Sequence, residues 1–198
     1  MRKINLGILG STRGSSFQSI IEAIESRELN AEVKIVLSNK PDAGILDRAR
    51  KHWIAGTYVK PESGESREAY DEKLFNLLNQ HQVDLVVLVG YMKILSKEFV
   101  SSFPGAIINI HPSLLPKHAG LINLAVHQAV LDAGEEVSGC SVHFVDEGID
   151  TGDVIIQKQC AVMPKDSAES LKSRVQLFEG SALIEAIELL QQQGFHYE

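Results

Sequence analysis

Val83-Asp84-Leu85-Val86-Val87-Leu88-Val89 is the run whose reading decides the fold. Apart from Asp84 it is apolar throughout and rich in β-branched side chains. A strand buried on one face alternates apolar and polar residues, whereas a continuous apolar run predicts a central parallel strand covered by helices on both faces. Upstream, Ile4 to Leu9 and Ala31 to Leu37 read as two more strands, each closed by a polar turn that contains glycine. Helical spacing follows each turn, with Phe17, Ile20, Ile21 and Ile24 after the first and Ile45 to His52 after the second. Ser66-Arg67-Glu68-Ala69-Tyr70 then opens a helix that puts Leu74, Leu77 and Leu78 on one face, with Ser66 as its side-chain cap.

Downstream, Ala106-Ile107-Ile108-Asn109-Ile110 predicts a further strand. A helix is expected from about Leu121 to Ala133, then strands around Gly139 to Val145 and Val154 to Val162, and a final amphipathic helix over roughly Ala168 to Gln192. Strands alternating with helices specify an α/β class, an open and mostly parallel twisted sheet with helices on both faces. The two late strands, joined only by a loop, predict an antiparallel addition at one edge. The 198 residues suit one sizeable core, and no repeat, biased tract or linker divides them, so a single domain over 1–198 is expected.

Composition narrows the function. A net charge of -7 disfavours a general nucleic-acid surface while leaving room for a local basic pocket that holds an anionic substrate. The two cysteines, Cys140 and Cys160, have no zinc-site spacing around them and read as reduced core residues. The apolar run after Met1-Arg2-Lys3 is too short for a signal core or a membrane span. The expectation is a cytoplasmic protein acting on small-molecule substrates, with no nucleic-acid or membrane partner, as a monomer or homodimer.

In open α/β sheets ligands bind beyond the carboxyl ends of the strands, where the strand order reverses. That rule gathers Gly10 to Ser16, Gly90 to Leu95 and Asn109 to Lys117 around one crevice. Alternate side chains of a strand share a face, so Asn109 and His111 project together. Pro112 and Pro116 stiffen the exit. A carboxamide donor beside a titratable ring suits a reaction that builds negative charge on a carbonyl oxygen, as acyl-type transfers do.

Other segments leave alternatives open. Gly10-Ser11-Thr12-Arg13-Gly14-Ser15-Ser16 is either a phosphate cradle at a helix N-terminus or an ordinary turn capped by Ser15. It fits neither the lysine-bearing P-loop nor Gly-x-Gly-x-x-Gly. Asp146-Glu147-Gly148-Ile149-Asp150-Thr151-Gly152-Asp153 is a solvated turn, a calcium loop of non-EF-hand spacing, or the source of one carboxylate that reaches His111 and favours its charged form. Tyr91-Met92-Lys93-Ile94-Leu95 is the lip of the core or an apolar wall beside a cation. Arg67 is a surface residue or meets an anion.

Together these segments resemble the folate-dependent formyltransferase family. The likeness runs through Gly14-Ser15, Phe17-Gln18, Ser38-Asn39-Lys40, Met92-Lys93-Ile94-Leu95-Ser96, Asn109-Ile110-His111-Pro112-Ser113-Leu114-Leu115-Pro116-Lys117, Ser141-Val142-His143-Phe144-Val145 and Asp150-Thr151-Gly152. Ser66-Arg67-Glu68-Ala69-Tyr70-Asp71 resembles the glycinamide ribonucleotide branch in particular. The resemblance implies 10-formyltetrahydrofolate as cosubstrate, the amine of glycinamide ribonucleotide as acceptor, a step of purine synthesis, and no metal. It implies a catalytic trio of Asn109, His111 and Asp150, and a phosphate loop of Gly14, Ser15 and Ser16. It further implies folate contacts from Arg67, Met92, Lys93, Ile94, Leu95 and Val100, and a glycinamide contact from Glu179. Within the one domain, the N-terminal part would bind the ribonucleotide and the C-terminal part would bind folate and carry out catalysis. Three features depart from the family pattern. Ser16 stands where Asn is common, Lys93 where some members carry Arg, and His118-Ala119-Gly120 where aromatic-Pro-Gly is frequent.

Overall fold

The computed structural model describes residues 2–193. In chain order the elements are β1 (Ile4–Leu9), α1 (Ser15–Glu25), β2 (Ala31–Ser38), α2 (Gly44–Lys51), β3 (Gly56–Tyr58), α3 (Arg67–Gln80) and β4 (Leu85–Leu88). There follow α4 (Lys97–Ser102), β5 (Ala106–His111), α5 (Leu124–Asp132), β6 (Val137–Phe144), β7 (Val154–Ala161) and α6 (Ala168–Gln193). The strands form one seven-stranded sheet of order β3-β2-β1-β4-β5-β6-β7. Pairing is parallel from β3 through β5 and antiparallel for β5 with β6 and β6 with β7. Chain order reverses between β1 and β4, which opens a crevice at their carboxyl ends.

The apolar run at β4 is buried on both faces, as its lack of alternation requires. Leu85 and Val87 join Leu6, Ile8 and Ile108 in one core cluster, which α1 and α6 also enter. Val86 and Leu88 turn the other way, to Leu9, Leu37 and Ile107, beneath Leu74 and Leu78 of α3. Each fully buried side chain of this size contributes roughly 1.5–3 kcal/mol by transfer from water, so the central strands are the main hydrophobic anchor. On that second face Phe75 stands edge-on to Phe99 and Phe103, with centroids 6.2 and 6.4 Å away.

Local signals set the helix ends. The Ser66 hydroxyl accepts the Ala69 N–H at 3.1 Å, the cap expected from the sequence. Gly180 lets α6 lie against α1, since a Cβ there would fall 2.4 Å from Ser19 Cβ.

Two elements and one boundary differ from the sequence expectation. β3 is three residues on an edge, without an apolar run to announce it. α4 has six residues, too few to show helical periodicity. The helix expected from Leu121 begins at Leu124, because Asn123 adopts a positive φ of 55° that ends the helix at its N-cap. Leu121 and Ile122 are instead exposed beside the crevice.

Candidate active site

The crevice holds a cavity of about 550 Å³, a size suited to drug-sized and cofactor-sized ligands. Its walls come from the loop after β1, the segment after β4, the end of β5, the β6–β7 connection and one stripe of α6.

Asn109 and His111 lie on the carboxyl end of β5, directly opposite His143 and Ser141 of β6. Asp150 enters from the β6–β7 connection, with φ at 55°. Asp tolerates this left-handed conformation better than bulkier residues do, and the kink turns the carboxylate inward. Its Oδ2 lies 3.1 Å from His111 Nδ1 and accepts the Gly120 N–H at 2.9 Å. Its Oδ1 accepts from Asn109 Nδ2 at 3.4 Å and lies 3.5 Å from His143 Nε2. Burial pushes the Asp150 carboxyl up, but hydrogen bonds from His111, His143 and Gly120, with the charge of His111, outweigh it and hold the group well below the usual carboxylate range.

The rest of the acidic segment has other work. Asp146 accepts from the Thr151 hydroxyl at 2.7 Å and from the Gly148 N–H at 3.0 Å, which pins the turn. Glu147 pairs with Lys97 at 3.0 Å on the surface. Of the alternatives open in the sequence, the geometry selects a carboxylate delivered to the imidazole.

Both ring nitrogens of His111 face acceptors, Nδ1 toward Asp150 and Nε2 toward the His118 carbonyl at 3.2 Å. Only the doubly protonated ring donates to both. His143 presents Nδ1 to the Phe144 carbonyl at 2.7 Å. Its Nε2 lies 3.1 Å from Asn109 Nδ2 and 3.5 Å from the Asp150 carboxylate. The carboxamide is thus oriented by a short bond to His143. Its longer bond to Asp150 is the weaker of the two and the one an incoming oxygen can replace.

The loop after β1 presents a helix start. Gly14 is the N-cap of α1 with φ 63°, and no side chain caps it, Ser15 included. The N–H groups of the first turn therefore lack a side-chain acceptor and favour an anion. A Cβ at Gly14 would fall 2.5 Å from Ile45, so glycine is required there on contact and conformation alike. The buried Ser16 hydroxyl donates to Glu179 of α6. Burial raises the Glu179 carboxyl, opposed by that bond and by the charge of Lys172.

Met92, Lys93, Ile94 and Leu95 also line the cavity, with the Lys93 ammonium 4.6 Å from the centroid of the Tyr70 ring. Arg67 and Val100 lie outside the lining: Val100 packs against the aromatic core, and Arg67 is exposed in the first turn of α3. Sequence reasoning did not single out His127, His143, Lys172 or Gln176 as site residues. His143 could have been found from strand pairing, because it stands opposite Asn109. The other three depend on the packing of α5 and α6, which local sequence does not encode.

The model of the formyl transferase family matches residues 4–187. A phosphoribosylglycinamide formyltransferase of Escherichia coli strain K12 is 43% identical over 176 residues, 89% of this chain and 82% of that protein. A trifunctional purine biosynthetic protein adenosine-3 of Drosophila melanogaster is 40% identical over 191 residues; the match covers 96% of this chain but 14% of that protein's length. Among solved structures, glycinamide ribonucleotide transformylase 1 of Symbiobacterium toebii superposes with a TM-score of 0.93 at 35% identity, over 99% of this chain and 91% of that one.

Proposed function

The chain belongs to the formyl transferase family, and on that premise we propose that it moves a formyl group from 10-formyltetrahydrofolate to the amine of glycinamide ribonucleotide, a step of purine synthesis. The observation that carries this reading is the meeting of Asn109, His111 and Asp150 in one cavity with an uncapped helix start at Gly14. Oxyanion donors and an anion cradle are what formyl transfer to a phosphorylated amine requires.

Asn109 and His111 donate hydrogen bonds to the formyl oxygen as the acceptor's neutral amine attacks the formyl carbon. Preorganised donors of this kind are worth about 2–4 kcal/mol each in the barrier. His111 Nε2 exchanges the His118 carbonyl for the developing oxyanion, while Asp150 keeps the ring charged and aimed. Asp150 also sits where it can relay a proton, through water, from the attacking nitrogen toward the leaving nitrogen. Such relays contribute about 10²–10⁴ in rate.

The backbone N–H groups of Gly14, Ser15 and Ser16 hold the ribonucleotide phosphate, and Glu179 holds the end nearer the amine. Met92, Ile94 and Leu95 offer an apolar wall for the pterin of the donor, with Lys93 as a cation for its carboxylates. Arg67 and Val100 are assigned to the outer reach of the same folate site. The acceptor is thus held between the start of α1 and Glu179 of α6, and the donor along residues 67–100, so both halves of the 1–198 domain serve both substrates rather than the N-terminal part the acceptor and the C-terminal part the donor. We assign the enzyme to the cytoplasm as a monomer or homodimer, a compartment in which the free thiols of Cys140 and Cys160 stay reduced.

The test mixes 10-formyltetrahydrofolate with glycinamide ribonucleotide and follows the absorbance of the deformylated folate. Release that depends on the ribonucleotide is expected. Release without it would mean hydrolysis, and none at all would mean a binding protein; either result overturns the assignment.

A further inference from the structure

The loop assigned to the acceptor and the wall assigned to the donor meet at one buried hydroxyl. Ser11 follows β1, beside the reversal of strand order, and is 4% exposed. Its Oγ accepts the Met92 N–H at 2.8 Å and donates to Asn39 Oδ1, just beyond β2, at 2.6 Å. Its own N–H donates to the Gly90 carbonyl at 3.1 Å. A serine hydroxyl has one proton to give, and here it goes to Asn39. Ser11 therefore lines the cavity while its hydrogen bonds hold protein to protein.

Its surroundings make the hydroxyl a link between two segments. Residues 92–95 are irregular, and side chains hold the segment at both ends. Ser11 takes the Met92 N–H, and Asp71 accepts the Ser96 N–H at 2.5 Å. On the other side only Thr12 and Arg13 separate Ser11 from Gly14, and the Thr12 carbonyl accepts the Ile45 N–H of α2 at 3.0 Å. The two segments also touch directly. Gly90 has φ 60°, and a Cβ there would fall 2.6 Å from Thr12 Oγ1. Sliding the donor wall past the acceptor loop therefore requires breaking the Ser11 bonds.

We propose that Ser11 is a positioning residue for transfer: its hydroxyl, braced by Asn39, sets the register between the donor wall at 92–95 and the acceptor loop at 14–16. That register fixes how the amine approaches the formyl carbon. The inference rests on the reading of donor and acceptor given above. When two reactants sit on separate segments, a misplacement of about 1 Å costs about 10²-fold in rate. Without the hydroxyl, the Met92 N–H and the Asn39 oxygen lose this partner, and the wall drifts while each segment keeps its own ligand contacts. The effect therefore falls on turnover rather than on either KM.

The test is Ser11→Ala. With both substrates saturating, turnover should fall about 10- to 100-fold, with both KM values within about threefold of wild type. A larger share of the released formyl groups should pass to water as formate instead of to glycinamide ribonucleotide. A purely structural loss lowers the fraction of folded enzyme and leaves that share unchanged. Asn39→Ala should move turnover and partition the same way by a smaller factor, whereas Asn39→Asp, which keeps the accepting oxygen, should stay close to wild type. Ser11→Ala combined with Asn39→Ala should be no slower than Ser11→Ala alone, because the two side chains share one bond. Turnover of Ser11→Ala within threefold of wild type, or an unchanged partition between transfer and hydrolysis, would overturn the proposal. If wild type does not use glycinamide ribonucleotide at all, the acceptor assignment fails separately, and amide hydrogen exchange then decides the register. Exchange about tenfold faster across 92–95 in Ser11→Ala, with the amides of β4 unchanged, supports it. No rise, or a rise confined to Met92, refutes it.

Discussion

Asp150→Asn removes one negative charge while keeping the size and planarity of the side chain. At the observed 3.1 Å from His111 Nδ1, two unit charges attract by about 5 kcal/mol for an effective dielectric constant of about 20. Part of this is offset, since the amide has no charge to desolvate in a site where the Asp150 side chain is only 13% exposed. The amide still offers one oxygen, to His111 or to Gly120 but not equally to both. A net loss of about 3 kcal/mol in the barrier is expected, or about 10² in turnover. The assay is steady-state formyl transfer with both substrates saturating, beside a thermal melt of each protein. Turnover should fall about 10²-fold, with both KM values within about threefold and the fold intact. Asp150→Asn with turnover within threefold of wild type would refute the reasoning, because the carboxylate would then neither charge nor aim the ring.

The same carboxyl gives a pH signature in stability. Its folded pKa is depressed, so its stabilising contribution is complete above the unfolded value of about 3.9 and is lost as pH falls below that toward the folded value. The Tm gap between wild type and Asp150→Asn should therefore stay level from about pH 8 to 5 and narrow below about pH 4; a gap that closes already near pH 6 would place the effect elsewhere. Asn109→Ala should cost about 10²–10³ in turnover, and the double variant with Asp150→Asn should cost less than the product of the two, because the side chains share a hydrogen bond. Rates that multiply would separate them. Gly14→Ala forces a Cβ against Ile45 at φ 63° and should lower stability by about 1–3 kcal/mol in denaturant melts while raising the KM for the ribonucleotide. Ser66→Ala should cost about 1 kcal/mol of stability with no change in rate, since the cap lies away from the cavity.

The sheet was legible wherever burial leaves a periodic or continuous apolar mark. The Val83–Val89 run announced a strand covered on both sides, and β4 is buried throughout. Edge strand β3 and the short helix α4 left no such mark, because three exposed residues and six helical ones bury too little to constrain the sequence. Alternation along β5 brought Asn109 and His111 to one cleft, but nothing local to Asp150 says that it turns inward while Glu147 turns out to Lys97. That choice depends on a left-handed φ and a turn pinned by Asp146 and Thr151. The α6 stripe was hidden for another reason: Lys172, Gln176 and Glu179 read as the polar face of an amphipathic helix until α1 and α5 are packed beside it.

The most direct measurement is a crystal structure with glycinamide ribonucleotide and a folate analogue whose hydrated aldehyde mimics the tetrahedral species. The account predicts one hydroxyl of that hydrate within about 3.2 Å of both Asn109 Nδ2 and His111 Nε2, hydrogen-bond range for such donors. It also predicts that His111 has let go of the His118 carbonyl while Nδ1 still donates to Asp150. A hydrate seated elsewhere, with His111 Nε2 still bound to that carbonyl, would contradict it.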